Sequence, residues 1–295
     1  MATIPRVYVP VEDRPWRLTM GLRPLDRARW LEVDRLRAVT LAEKRRLLGE
    51  VHDRVVASLP GSEPAGAELL AAILDDLDRH HPDTMVRQGD GTITDCTTGD
   101  VVDPAGMHPV DAAGRIVQED LCLMERRSGA WTLTAASVCF PSRWALAAKV
   151  GRDLSAIHAP VPGYAEALAR PTAATFDRLR RDRPVWRLNW TLLDRPDLHL
   201  PDPADGRPAP PPLTDPGREL WFRVERQTLR RLTDRPAITF TIRTYVTSLG
   251  DLVNDHPEAA DALRTTLPSV PEDTIAYKGW KGAIGPLLAW LDAEH

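Results

Sequence analysis

Of the eight histidines in the chain, His158 has the setting best suited to a metal-bearing cofactor. It sits in Ile157-His158-Ala159-Pro160-Val161-Pro162-Gly163-Tyr164. Leu154 and Ile157 lead into it, two prolines restrict the backbone behind it, and Gly163 permits a sharp turn. A stiff apolar rim suits the edge of a macrocycle. Neutral imidazole, with one ring nitrogen free and the other held in a fixed orientation, is a common axial ligand of haem iron. A core histidine hydrogen-bonded to backbone fits the same residues, because a lone histidine carries little information about its role.

The other histidines have simpler readings. His80-His81 falls at an expected helix end, where imidazoles cap carbonyls, and His52 falls mid-helix. His108, His199 and His256 each have a proline close by, and His295 is terminal. None belongs to an HExxH arrangement, so a zinc hydrolase has no support. Cys96, Cys122 and Cys139 are too far apart for a CxxC pair and are read as reduced thiols. An iron-sulfur cluster or structural zinc would need about four clustered ligands, so a metal is expected to arrive inside a cofactor.

Arg226 is the second residue that invites chemistry. Alternation over residues 220–227 places it on the face of Leu220, Phe222 and Val224, where an apolar side chain is expected. A buried guanidinium needs an anion: a haem propionate, polarised dioxygen on its iron, or an ion-pairing carboxylate such as Glu119. Arg187, Asn189, Arg223, Glu225, Arg243 and Tyr245 alternate onto the opposite face, which a solvated or helix-covered polar surface explains. The chain contains no GxSxG, GxGxxG or GxxxxGK[ST], so serine nucleophiles, dinucleotides and nucleoside triphosphates are not expected through those devices. Electrons, if needed, come from elsewhere.

The elements that must position these residues read as a mixed α+β chain of 295 residues with 43% apolar content, enough for a folded core. Thr40-Leu41-Ala42-Glu43 has the form of a capping box. Leu48, Val51, Val55 and Leu59 then give a helical stripe ending at Pro60-Gly61, and Leu70, Ile73, Leu74 and Leu77 give a second. A short hairpin is expected around residues 92–102. Residues 120–125 and 131–140 read as a hairpin turning at Ser128-Gly129. A helical stretch over 143–150, a short turn at 154–158 and a helix from about 163, broken at Pro171, follow. Residues 185–192 form the clearest strand, with Trp186, Leu188, Trp190 and Leu192 on one face. A long surface loop over 194–217 precedes strands at 220–227 and 237–245, and helices from about 258 and 283 close the chain.

This order is that of a PAS domain, a five-stranded antiparallel sheet whose inserted helices close over a ligand. One domain over 1–295 is expected: an N-terminal arm and helices (1–84), a PAS-like haem-binding core (85–250) and C-terminal helices (251–295). A net charge of -4 without a basic stripe argues against nucleic acid. No apolar run reaches about 18 residues, and the first residues resemble no targeting segment, so a cytoplasmic protein is expected.

Several segments together resemble the family of the haem-dependent oxidative N-demethylase α subunit, from about residue 10 to about 250. They are Met20-Gly21-Leu22-Arg23-Pro24-Leu25, Gln118-Glu119-Asp120-Leu121-Cys122-Leu123, Cys139-Phe140-Pro141-Ser142-Arg143-Trp144, Ile157 to Tyr164 as above, Arg187-Leu188-Asn189-Trp190 and Arg223-Val224-Glu225-Arg226-Gln227-Thr228-Leu229-Arg230. The resemblance implies a PAS-fold monooxygenase that holds haem b and oxidises a small amine with dioxygen, releasing formaldehyde from dimethylamine. It implies electrons from NADPH through a separate flavin/iron-sulfur reductase, and leaves room for a homo-oligomer. His158 then matches the iron ligand. Arg226 matches a distal or propionate-binding arginine, with Tyr164, Arg143 and Asn189 as further haem contacts. Arg226, or Arg223 with Glu225, becomes the group acting on oxygen or amine, depending on which face of the strand meets the haem. A non-catalytic haem gas sensor or carrier would use the same pocket without turnover, and a cofactor-free structural protein would use none of it.

Overall fold

A computed structural model describes residues 7–201 and 212–294. Its strands are β1 (Arg23–Pro24), β2 (Val56–Ser58), β3 (Met85–Arg87), β4 (Ile93–Asp95), β5 (Val101–Val102), β6 (Asp120–Arg127), β7 (Ala130–Ser137), β8 (Val185–Leu193), β9 (Trp221–Arg231) and β10 (Ala237–Ser248). Seven of them form one antiparallel sheet in the order β1-β8-β9-β10-β6-β7-β2, and β3-β4-β5 form a separate sheet.

The expected five-stranded PAS-like sheet is therefore corrected. The main sheet has seven strands and a three-stranded sheet lies apart from it. The five strands expected from sequence correspond to β6 through β10, while β1 and β2 add one short strand at each edge. Two or three residues are too few for a period-two pattern to register. Residues 56–58, expected in a helix, are extended: the chain makes one helical turn, His52–Val55, and then pairs Val56–Ser58 with β7, which suits the β-branched Val56.

Other differences are local. The first helix, Arg37–Glu50, starts one turn before the supposed capping box, and the Thr40 amide already donates to the Leu36 carbonyl. The stretch 143–150 is extended at Ala145 and holds only a 3-10 turn, Leu146–Ala148, because Arg143 takes a left-handed φ of 60° and Ser142 bridges Leu200. The helical break lies at Leu168, between Tyr164–Ala167 and Ala169–Arg178; Pro171 sits in the first turn of the latter, where no amide donor is required. The β6-β7 hairpin turns through Ser128 and Gly129, both at positive φ, as a two-residue turn matched to strand twist requires.

Each face of the main sheet buries a different part of the chain. One face, carrying Trp186, Leu188 and Trp190 of β8 with Phe222 and Val224 of β9, packs on the N-terminal helices and the helices after residue 249. The other carries Cys122, Met124, Leu229 and Ile238, and is covered by residues 144–179, including Leu154, Ile157 and Phe176. β1 pairs only with the first two residues of β8, leaving the edge beyond residue 186 without a neighbouring strand. Chain from the C-terminal helices covers it: Lys278 Nζ donates to the Trp190 carbonyl at 2.9 Å, and Trp280 Nε1 donates to the Leu192 carbonyl at 3.1 Å. The Lys278 ammonium also lies 5.0 to 5.8 Å from the ring centres of Trp16, Trp190 and Trp280.

Charges buried under the first face tie down the N-terminal segment. Arg243 forms a two-oxygen ion pair with Asp34, at 2.9 and 3.2 Å, and Gln118 Nε2 donates to Asp34 at 3.0 Å. Asp34→Ala would leave the Arg243 guanidinium buried without its anion. It should cost about 3–5 kcal/mol of stability, measured by urea unfolding; a loss below about 1 kcal/mol would show that the pair does not hold the segment.

Burial pushes the Lys278 ammonium down to about 8, opposed by the negative charge of Glu225. Between that value and the ordinary 10.5 the unfolded chain binds the proton more readily, so stability attributable to this group should rise with pH across that window. The chain has only four lysines. In protein labelled at lysine 13Cε, one resonance, absent in Lys278→Arg, should titrate near the lower value; titration at the ordinary lysine value would refute this.

Candidate functional site

His158 ends the one-turn helix Leu154–His158, which opens with the Asp153 carboxylate accepting the Ala156 amide at 2.9 Å. Leu154 and Ile157 drive it onto the sheet, against the cluster containing Cys122, Met124 and Leu229. After the turn the chain reverses: the Val161 amide donates to the His158 carbonyl at 2.8 Å, and Gly163 takes a φ of 71°. Tyr164 is thereby brought back onto the imidazole. The two rings stack with centroids 4.6 Å apart and planes 12° from parallel.

His158 Nδ1 lies 2.8 Å from the Leu154 carbonyl. A carbonyl only accepts, so Nδ1 carries the proton and Nε2 keeps a free lone pair. Burial is the largest influence on this group and pushes its pKa down; the Leu154 hydrogen bond opposes the shift, and the charges of Lys149 and Arg187 add to it. The imidazole is held neutral, in one tautomer and one orientation. Lys149 braces the turn by donating from Nζ to the Ile157 carbonyl at 2.9 Å while lying over the Trp144 ring.

Facing this side of the sheet are Arg187 and Asn189 of β8 and Arg223, Glu225 and Gln227 of β9, with Arg187 opposite Gln227 and Asn189 opposite Glu225. Val185, two residues before Arg187, packs in the same cluster as Leu154 and Ile157, which sets the polar row beside the His158 helix. Glu225 accepts from Gln227 Nε2 at 3.0 Å, from Asn189 Nδ2 at 3.4 Å and from Arg223 Nε at 3.4 Å. Arg223 also donates to the Phe140 carbonyl at 2.5 Å and the Leu198 carbonyl at 3.0 Å. The same loop is held from β6, where Asp120 accepts the Cys139 and Phe140 amides at 2.8 and 2.9 Å.

The structure thus brings His158 and Tyr164 into contact, and gathers Asn189, Arg223 and Glu225 on the sheet face that the His158 helix covers. Arg143 lies on the loop Arg223 holds and pairs with Asp194 at 2.8 Å. Arg226 is elsewhere. It points from the opposite face of β9, donates to the backbone carbonyls of Arg29 and Trp30, pairs with Glu32 at 3.2 Å and lies over the Trp186 ring. Its anion is supplied within the chain, by Glu32, and the sheet separates it from His158.

In sequence Arg187 is one member of an ordinary polar stripe, and Gln227, Lys149 and Lys278 carry no signal. For Arg187 the signal lies in its environment. It is half-buried, its Nε is out of contact with solvent, and among the described residues it has no hydrogen bond or ion pair. Burial lowers its pKa, and Glu225 is the charge that opposes this.

A haem asks for one axial donor, an apolar surround and a cation for its carboxylates. The chain offers a free Nε2 on a fixed imidazole, a rim of Ile157, Val161 and Pro162, and an unpaired guanidinium on the facing sheet. Among the described residues no cluster of three or more His, Cys, Asp or Glu side chains is arranged to hold a bare metal ion. These residues fit the group.

A model of the family described as haem-dependent oxidative N-demethylase, alpha subunit-like, matches residues 21–285. The matched span takes in both edges of the main sheet, the His158 turn and the polar row of β8 and β9. The chain belongs to the haem-dependent oxidative N-demethylase alpha subunit-like family.

Proposed function

We propose that this chain binds haem b through His158 Nε2 and is the substrate-oxidising part of an enzyme that removes a methyl group from a small amine. The observation that carries the reading is the His158 to Leu154 hydrogen bond, which leaves one imidazole nitrogen unprotonated on a turn that cannot rotate it away. Bound there, the haem supplies activation of dioxygen and oxidation of the amine, with electrons delivered from outside the chain. The alpha-subunit description of the family supports a partner subunit in that role. A flavin/iron-sulfur protein drawing on NADPH has the required chemistry.

The chain's own residues bind and orient. The Leu154 carbonyl fixes the ligand nitrogen and makes it more electron-rich, and Tyr164 limits the tilt of the ring. Glu225 is the acceptor for an ammonium or amine N–H of the substrate. Arg223 on one oxygen, with Asn189 and Gln227 on the other, holds the carboxylate at a fixed angle and leaves lone-pair capacity unused. Arg223 itself touches no ligand in this scheme; it positions Glu225 and the 139–140 loop.

Titrating haem into the purified protein should give a Soret band saturating at one haem per chain. His158→Ala should lose that band or change its position and the axial signature in electron paramagnetic resonance, with added imidazole restoring both. An unchanged axial signature in His158→Ala would overturn the assignment. With a chemical or enzymatic electron donor and oxygen, a panel of methylated amines should identify a substrate through formaldehyde release. In that assay Glu225→Gln should raise KM by roughly 10- to 100-fold, the range expected from losing one charge-assisted contact, while leaving the haem spectrum intact. An unchanged KM would remove Glu225 from substrate binding.

A further inference from the structure

We propose that Arg187 is the carboxylate-recognising residue of this site, receiving either a haem propionate or the carboxylate of an N-methylated amino acid substrate. The inference rests on the haem reading for its place in the reaction, but not for the binding chemistry.

The other buried or half-buried cations on this side of the sheet are satisfied. Arg223 spends its donors on Phe140, Leu198 and Glu225. Lys149 is fixed by the Ile157 carbonyl, and Lys278 by the Trp190 carbonyl and three indole rings. Arg143 pairs with Asp194. Arg187 differs from all of these: among the described residues it makes no hydrogen bond and no ion pair, and its Nε is sealed from solvent.

Glu225 is near enough to be felt electrostatically at Arg187. Held at a fixed angle by Gln227, Asn189 and Arg223, it nevertheless forms no hydrogen bond or ion pair with Arg187. A guanidinium taken partly out of water without a partner costs stability, and an acceptor from outside the chain would supply the partner that the described residues do not. The planar fork of an arginine matches the two oxygens of a carboxylate better than a single acceptor. Its position gives the match a location. Val185, its neighbour on the same sheet face, packs with the helix that ends in His158, and the Arg187 charge is felt at that imidazole.

The test compares wild type with Arg187→Gln and Arg187→Lys in two arms. In the first, haem and haem dimethyl ester are titrated against haem-free protein. A propionate partner predicts that Arg187→Gln binds haem roughly 10- to 100-fold more weakly, that the deficit vanishes with the ester, and that Arg187→Lys falls between. In the second arm, N,N-dimethylglycine and dimethylamine are titrated by calorimetry into haem-free and haem-loaded protein. A substrate-carboxylate partner predicts equal haem affinities but loss of dimethylglycine binding, and not dimethylamine binding, in Arg187→Gln. Haem-free Arg187→Gln should be at least as stable to urea as wild type, since an unpaired cation is removed; a clear loss of stability would show a structural role instead and overturn the proposal. So would wild-type values in both arms. If wild type takes up no haem, the functional reading fails, and the calorimetry still decides Arg187: dimethylglycine binding that depends on it sustains the proposal, and its absence overturns it.

Discussion

Cations buried under and within the main sheet must all find acceptors, and that requirement organises the molecule. Arg37, Arg223, Arg226, Arg243 and Lys44 are each at most 2% exposed. A charge so placed is tolerated only when geometry satisfies nearly all of its donors. Arg37 takes Asp95 and the Ile116 carbonyl, and Lys44 takes the carbonyls of Val117 and Glu119. Arg226 and Arg243 take Glu32 and Asp34 with the backbone of residues 29 and 30. The N-terminal segment is thus stitched across one face by contacts between residues about 200 positions apart in the chain.

Strand β9 shows how this constraint divides the molecule. Arg223 and Arg226 are three residues apart and therefore project from opposite faces of the strand. Arg226 secures the N-terminal arm. Arg223 secures the loop at 139–140 and the carboxylate of Glu225, on the side where His158 stands. Glu32 adds a second tie to the first face, accepting from Tyr8 and from Tyr245, both at 2.5 Å; burial and the adjoining carboxylate push the Tyr8 hydroxyl up to about 12. Both tyrosines remain protonated and donate to Glu32, which ties the N-terminal arm to β10.

Much of this was legible from residue order, and the rest was not for identifiable reasons. Strands β8, β9 and β10 were legible because alternation over eight or more residues is hard to produce otherwise, and β6 and β7 because two β-prone runs flank a turn set by Ser128-Gly129. The turn after His158 was legible from the prolines and glycine behind it, and it brings Tyr164 back onto the imidazole. The edge strands β1 and β2 were invisible, being short and defined only by their partners, and that invisibility produced the five-stranded expectation. Thr40 misled because a local motif resembling a cap lay within a helix whose start is set by tertiary contacts, notably Arg37 with Asp95. Arg226 was correctly singled out as a cation needing an anion. Its partner, Glu32, lies 194 residues away, and nothing in the spacing connects them.

Arg187 shows the converse limit. In sequence it is one polar residue in an alternating strand, indistinguishable from Asn189 two positions on. Only when every donor and acceptor around it is assigned does it stand out, since Asn189 has Glu225 and Arg187 has no one. Alternation reports which face a side chain takes, and burial reports what it costs to be there. Whether that cost has been met within the chain is a property of the whole packed arrangement. A cation left without an acceptor on the sheet face that the His158 helix covers, where Arg223, Arg231 and Lys149 each have one, therefore weighs more than it would on a loosely packed surface.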